Sequence, residues 1–186
     1  MFIKDYISKD YPAFSSTDLI EEANEMAKEF GFSHVFVKKK GVYQGAISQS
    51  FLEESPEGNL ASLEIHYEKF AILDDGNLLD SIKLFYTFNS NIVPVISKNE
   101  KYLGYLSCDD IFCEFSKYPL FSESGAILTI QTNGTHYSMI EICKIVESNN
   151  GKVYGCFINL IGDDFIQITL KISTENPSSI DETFER

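Results

Sequence analysis

A short phrase occurs twice in this chain, and the repetition limits the fold more than any other feature. Residues 45–52 read GAISQSFL and residues 104–111 read GYLSCDDI, so both follow Gly-apolar-apolar-Ser-x-x-x-apolar, 59 residues apart. The second copy carries Asp110 at its seventh position, where the first carries Phe51. A unit of this size buries its core poorly by itself, whereas two copies packed together could share one.

The repeat extends beyond the phrase. Leu19-Ile20-Glu21 answers Leu78-Leu79-Asp80 at the same offset, and EESPEGN at 53–59 has the Pro, Gly and acidic residues of a boundary. Each unit holds a helix start: Asp18 with Glu21 in the first, Asn77 with Asp80 in the second. The 3.6-residue period puts Leu19, Ala23, Met26, Ala27 and Phe30 on one side of the first helix. It puts Leu78, Ile82, Phe85 and Tyr86 on one side of the second. Each helix leads to an apolar strand, Val35–Val37 or Ile92–Val95, then to a polar turn (KKKG at 38–41, SKNE at 97–100) and a strand ending in the phrase. With a short opening strand near residue 13 or 71, each unit reads β-α-β-β-α.

Within the phrase, Gly45 and Gly104 permit a bulge or the close approach of another backbone. Serine at a strand-to-helix junction caps the helix, or the free N–H groups there hold a phosphate. Asp110, in the first turn, could accept hydrogen bonds from a ribose 2′,3′-diol or could simply face solvent. Phe51 cannot accept them and reads as core or as the lid of a closed cleft.

These elements resemble a tandem pair of CBS domains, a Bateman module, over residues 1–118. Gly104-Tyr105-Leu106-Ser107-Cys108-Asp109-Asp110 meets the family's Gly-apolar-apolar-Ser/Thr-x-x-Asp stretch, and Val93-Pro94-Val95 its apolar-Pro-apolar element. The first unit departs at Phe36 and Phe51. The resemblance implies domains at 1–59 and 60–118, packed about a pseudo-twofold axis, with clefts for adenosine-containing ligands such as AMP, ADP, ATP or S-adenosylmethionine. It implies one cleft built from Ser107, Asp110, Phe70, Ala71, Asn91 and Ile92. A weaker one would join Ser48 to Tyr11, Pro12, Ser33 and His34. Because the family stacks two modules into a disc, a homodimer is expected, with a regulated protein as partner. Lys38–Lys40, Lys101 and Lys117 are the cations available to a phosphate, although the lysine run reads equally as a solvated turn.

A third segment follows a linker at 119–124. Strands at 126–130, 153–160 and 165–172 surround a helix that starts at Ser138 and has Met139, Ile142, Ile145 and Val146 on its apolar side. Ile166, Ile168, Leu170 and Ile172 alternate onto the face expected to be buried. The order β-α-β-β resembles the front of an ACT domain, which is ferredoxin-like, over 125–186; a final helix and strand are expected to be absent, so that either the segment is truncated or another chain completes its sheet. The fold class is thus α/β, a CBS pair followed by a partial ACT-like segment, an architecture that also resembles acetoin-utilisation accessory proteins. For the turn TNGTHYS the resemblance implies Gly134 and Ser138 as contacts for an amino acid, but a purely structural turn in a pairing domain is the preferred reading, and His136 reads as an exposed turn residue.

Composition bounds the function. A net charge of −13 disfavours nucleic acid and anionic membranes, and no apolar run is long enough to span a bilayer. The start MFIKDYISKD lacks the apolar stretch of a signal peptide, so a cytoplasmic location is expected. The four cysteines form no CxxC pair and the three histidines are scattered, so no metal site is expected. HExxH, GxSxG and GxxxxGK[ST] are absent, and an enzyme is not expected. The two leading readings are a regulatory sensor of an adenosine-containing ligand and an assembly module with no nucleotide site.

Overall fold

The computed structural model describes residues 2–55, 57–133, 137–174 and 177–184. The chain divides into two compact units, Met1–Cys113 and Glu114–Arg186.

The first unit contains the repeat. Its first half runs β1 (Phe14–Ser15), α1 (Ile20–Phe30), β2 (His34–Lys39), β3 (Val42–Ser48) and α2 (Gln49–Glu54). After a 3-10 helix at Leu60–His66, the second half runs β4 (Ile72–Leu73), α3 (Leu78–Thr87), β5 (Ile92–Ile96), β6 (Tyr102–Ser107) and α4 (Cys108–Phe115). Each half forms a three-stranded sheet, ordered β1-β2-β3 or β4-β5-β6, whose opening strand is parallel to the middle one and whose last pair is antiparallel. The register places His34 opposite Ser48 and Ile92 opposite Ser107. Bulges fall at matching points, Val37/Lys38 and Val95/Ile96. Val35, Phe36, Val37, Ile92, Val93 and Val95 are all buried, as expected of middle strands.

Three local expectations are corrected. Asp18 does not cap α1: its carboxylate accepts from the Ser15 N–H at 2.7 Å, tightening the preceding turn, and Leu19 stands at the cap position without a side-chain bond. Asn77 does cap α3, accepting from the Leu79 N–H at 3.0 Å. The buried face of α1 is Ile20, Ala23 and Ala27, while Leu19 and Phe30 are exposed. The buried face of α3 is Leu78, Ser81 and Phe85, leaving Ile82 exposed and Tyr86 89% exposed. Ser81 fits inside because its hydroxyl donates to the Leu78 carbonyl at 2.6 Å.

The second unit contains α5 (Pro119–Ser122), β7 (Ala126–Asn133), α6 (Met139–Ser148), β8 (Lys152–Ile161), β9 (Phe165–Ser173) and α7 (Pro177–Phe184). The sheet is antiparallel and ordered β7-β9-β8. Ile166, Ile168, Leu170 and Ile172 pack against Ile142, Val146 and Ile180, with Met139 and Ile145 alongside. Ser138 caps α6, accepting from the Glu141 N–H at 3.3 Å. Segment 119–124 contains one helical turn, and Leu120 rests on the bare backbone of Gly155. A final helix does exist: Pro177 suits a first helical position, and Ile180 is wholly buried one turn into it. Gly134 and His136 lie outside the described residues.

Candidate functional site

The two glycines of the repeated phrase explain how the site is built. Backbone N–H and C=O of Ser8 pair with those of Tyr105 at 2.9 Å, so the segment before β1 lies across β6 of the other repeat. A Cβ on Gly104 would collide with the Ser8 carbonyl and stand 2.5 Å from Ile7 Cγ2. In the counterpart, Glu68 pairs with Ala46 at 2.8 and 2.9 Å, and a Cβ on Gly45 would stand 2.8 Å from Tyr67 Cβ. Each repeat therefore lends its opening segment to the partner's last strand, which only glycine permits.

At the end of β6, Ser107 Oγ accepts from the N–H groups of Asp109 at 3.2 Å and Asp110 at 3.4 Å, capping α4. Asp110 remains exposed, and its Oδ2 accepts from the Ser8 hydroxyl at 3.4 Å. The Tyr105 phenol donates to Asp10 Oδ1 at 2.7 Å, and burial followed by the Asp10 carboxylate holds it neutral well above its ordinary range. Ile92 faces Ser107 across the sheet, and the Asn91 carbonyl accepts from the Cys108 N–H at 2.9 Å.

Four of the six candidates, Ser107, Asp110, Asn91 and Ile92, thus meet at one strand end. The Asn91 side chain is already engaged: Oδ1 accepts from the Ser33 N–H at 2.9 Å and Nδ2 donates to the Gly31 carbonyl at 2.8 Å. Phe70 and Ala71 lie beside β3 instead. Phe70 stacks on Phe88 at 4.1 Å, meets His34 edge-on at 5.5 Å and accepts at its carbonyl from the Tyr43 hydroxyl at 2.8 Å. With Tyr43, Gln44, Lys69 and Glu100 they line a cavity of about 460 Å³. On β6 the crossing segment is the one that carries Ser8 and Asp10. Sequence reasoning missed both residues, although a glycine inside each last strand signals such a crossing.

Behind Tyr105 lies an aromatic cluster. Tyr11, 0% exposed, packs near Phe30, Phe32, Phe36 and Tyr105, with Phe32 at 4.9 Å and Tyr105 at 6.1 Å. The Tyr11 hydroxyl donates to the His34 carbonyl at 3.1 Å.

The other strand end differs. Ser48 caps α2 by accepting from the Phe51 N–H at 3.3 Å, and the Phe51 ring rests against His66 at 4.6 Å. His34 is buried, with Nδ1 2.9 Å from Ser33 Oγ. Its Nε2 stands 3.5 Å from Glu68 Oε1, close enough for an ion pair but not aligned for a hydrogen bond. Burial lowers the imidazole pKa from its ordinary value, and Glu68 opposes that shift only in part. A neutral ring accepting the Ser33 hydroxyl at Nδ1 turns its Nε2–H toward Glu68.

The expected phosphate cations fall elsewhere. Lys39 ends β2, Lys40 lies in the following turn, and Lys101 precedes β6. The length of β6, about 17 Å at ~3.4 Å per residue, separates Lys101 from Ser107. Lys117 pairs with Glu114 at 2.6 Å in the second unit. Among the described residues no three His, Cys, Asp or Glu side chains converge to hold a metal ion. No helix among them is long and apolar enough to cross a membrane.

No family model and no curated protein matches the chain. Solved structures do. A CBS domain pair/ACT domain protein from Thermotoga maritima is 16% identical, with a TM-score of 0.54 over 62% of this chain and 96% of that one. The Vibrio cholerae protein AcuB, named for acetoin utilization, is 18% identical, with a TM-score of 0.54 over 68% of this chain and 98% of that one. The first unit has the fold of a CBS-domain pair. CBSX2, solved in complex with AMP, is 15% identical, with a TM-score of 0.50 over 61% of this chain and 95% of that one. Within the CBS pair here, the two strand ends are unequal: one presents Ser107 and the exposed Asp110, the other Ser48 opposite the buried His34, with Phe51 against the exposed His66.

Proposed function

We propose that this chain is a regulatory protein, cytoplasmic and homodimeric, whose CBS pair senses an adenosine-containing ligand at the Ser107–Asp110 cleft. The observation that carries the reading is the exposed Asp110 carboxylate, one helical turn beyond a capped strand end and, among the described residues, held by a long Ser8 contact. A ribose diol donating to Asp110 replaces that contact with charge-assisted bonds. Ile92 and the Asn91 backbone form the adjoining wall, and Lys9 is a cation on the crossing segment. Phe70 and Ala71 line a separate cavity beside β3, so the cleft is built without them. The AMP bound by CBSX2 supports this class of ligand.

In the same reading, residues 1–59 and 60–118 are the two CBS domains and 125–186 is an ACT-like domain. The order β7-β9-β8, with helices against one face, supports a ferredoxin-like unit in which, among the described residues, no strand flanks β7 on its outer side. Ligand binding alters the packing between the repeats only if the two packings bind it unequally. The Ser33–Asn91 contacts supply a link between the repeats, and a protein partner receives the signal.

A second reading, an assembly module without a nucleotide, is favoured by Tyr11 and Phe32 filling the space behind Tyr105. Calorimetry with AMP, ADP, ATP and S-adenosylmethionine decides between the two. We expect binding of at least one ligand and a loss of tenfold or more in Asp110→Ala. Silence from all four overturns the sensor reading, and unchanged affinity in the variant removes Asp110 from its role.

A further inference from the structure

The two edges of the second unit's sheet are unlike. β8 carries register shifts at Val153/Gly155 and Ile158/Leu160. Such bulges twist an edge and blunt it against further pairing. β7 pairs with β9 without interruption from Ala126↔Ile172 to Asn133↔Phe165, and among the described residues it pairs on that side alone. It has no proline and no charge, and Ser124 to Ile140 contains no Asp, Glu, Lys or Arg. Lysine, proline and bulges are the devices that keep an edge strand single, and β7 has none of them.

Its two faces are also incompletely covered. Leu128 and Ile130 pack against the core but remain partly exposed, whereas Ile168, Leu170 and Ile172 on the central strand are fully buried. On the outer face Ile127 is 68% exposed. One more strand beside β7 would cover Leu128 and Ile130 from the side that β9 does not reach.

We infer that β7 is a dimerisation edge, occupied by β7 of a second copy running antiparallel across a two-fold axis at Thr129. This inference rests on the homodimer of the proposed function and locates one of its contacts. Side-chain alternation permits only registers that keep like faces together. An axis at Thr129 sets Leu128 against Ile130 and Ile127 against Gln131, joining two three-stranded sheets into one of six. Charge selects the occupant. A basic partner would be drawn to the acidic surface of a chain at −13, and an uncharged edge offers it nothing. Two copies repel each other except where both are neutral, and β7 lies in the longest stretch that is.

The test uses the full chain. Sedimentation should show a dimer, and Thr129→Cys should form a 129–129 disulfide on mild oxidation, located by peptide mass spectrometry. Opposed Cα atoms within about 5.5 Å allow that link. It should form at least tenfold faster than any 160–160 link in Leu160→Cys, which reports on the bulged edge. Thr129→Lys, which sets like charges face to face, should raise the dimer Kd tenfold or more while leaving AMP affinity unchanged. A dimer that fails to cross-link at 129, links equally fast at 160, or is indifferent to Thr129→Lys overturns the β7 contact alone. A monomeric wild-type chain overturns both that contact and the homodimer, leaving the nucleotide reading to calorimetry.

Discussion

The Tyr102 hydroxyl donates to the Tyr11 carbonyl at 3.1 Å, joining residues 91 apart in sequence. The pseudo-symmetric partner is the Tyr43 hydroxyl on the Phe70 carbonyl at 2.8 Å. Each tyrosine stands within the first two residues of a repeat's last strand and grips the other repeat's opening segment.

Tyr102→Phe and Tyr43→Phe should each lower unfolding stability by about 1 kcal/mol, the usual net worth of such a bond. The double variant should lose roughly the sum, since the two bonds lie at different sites. Urea denaturation followed by circular dichroism measures this. Wild-type midpoints in both single variants would mean that the bonds do not hold the repeats together.

Gly104→Ala should be far more damaging than Gly31→Ala. Both glycines have positive φ, 144° and 67°. A Cβ at Gly31 meets nothing within 4 Å, so its cost is the left-handed penalty, about 1–2 kcal/mol. At Gly104 the obstacle is the Ser8 backbone, which cannot rotate away, and about 2 kcal/mol more is expected. Denaturant midpoints for the two variants decide it; equal losses would refute the crossing.

Stability should fall on mild acidification. Folding depresses the His34 pKa below its ordinary 6.5, so just below that value the unfolded chain binds the extra proton. Stability therefore rises with pH through this window, is complete above 6.5, and is lost as pH falls toward the folded pKa. The facing groups are Glu68, Ser33 and the Phe70 ring. His34→Gln should flatten the dependence in the range just below the ordinary histidine value of 6.5. An unaltered slope in urea midpoints across that range would assign it to other groups.

At alkaline pH the sign reverses. Burial pushes Tyr67 up to about 12 and drives Tyr11, Tyr43 and Tyr102 higher still. Their stability contribution is fully present below the ordinary 10.0 and is lost as pH rises through the folded values. Tyrosinate absorbance should therefore appear later in the folded chain than in urea. Coincident titrations would contradict the burial of this cluster.

How far the sequence could be read depended on how local the determinant was. The alternation of Ile166, Ile168, Leu170 and Ile172 specifies β9 and its buried face, because a strand has only two faces. Helix α3 was harder. Leu78, Ile82, Phe85 and Tyr86 fit one apolar side, yet Leu79 is apolar too, so the sequence offers two overlapping stripes. Ser81, satisfied by its own backbone, took the inner place. At the site, Ser107 and Asp110 stand within one phrase and could be found together. Ser8 and Asp10 lie about a hundred residues earlier and reach the site only through a crossing. Gly104 announces that crossing without naming what crosses.

The exchanged opening segments also constrain how such a repeat could exist alone. A single copy would present a last strand with a bare glycine and an opening segment with nowhere to lie. Both needs are met only by another copy, so the solitary unit would be an obligate pair with reciprocal arms. Joining two copies through residues 53–59 turns that encounter between molecules into one within a chain, where the effective concentration no longer depends on abundance. The same joining frees the copies to diverge, and Asp110 opposite Phe51 records that freedom.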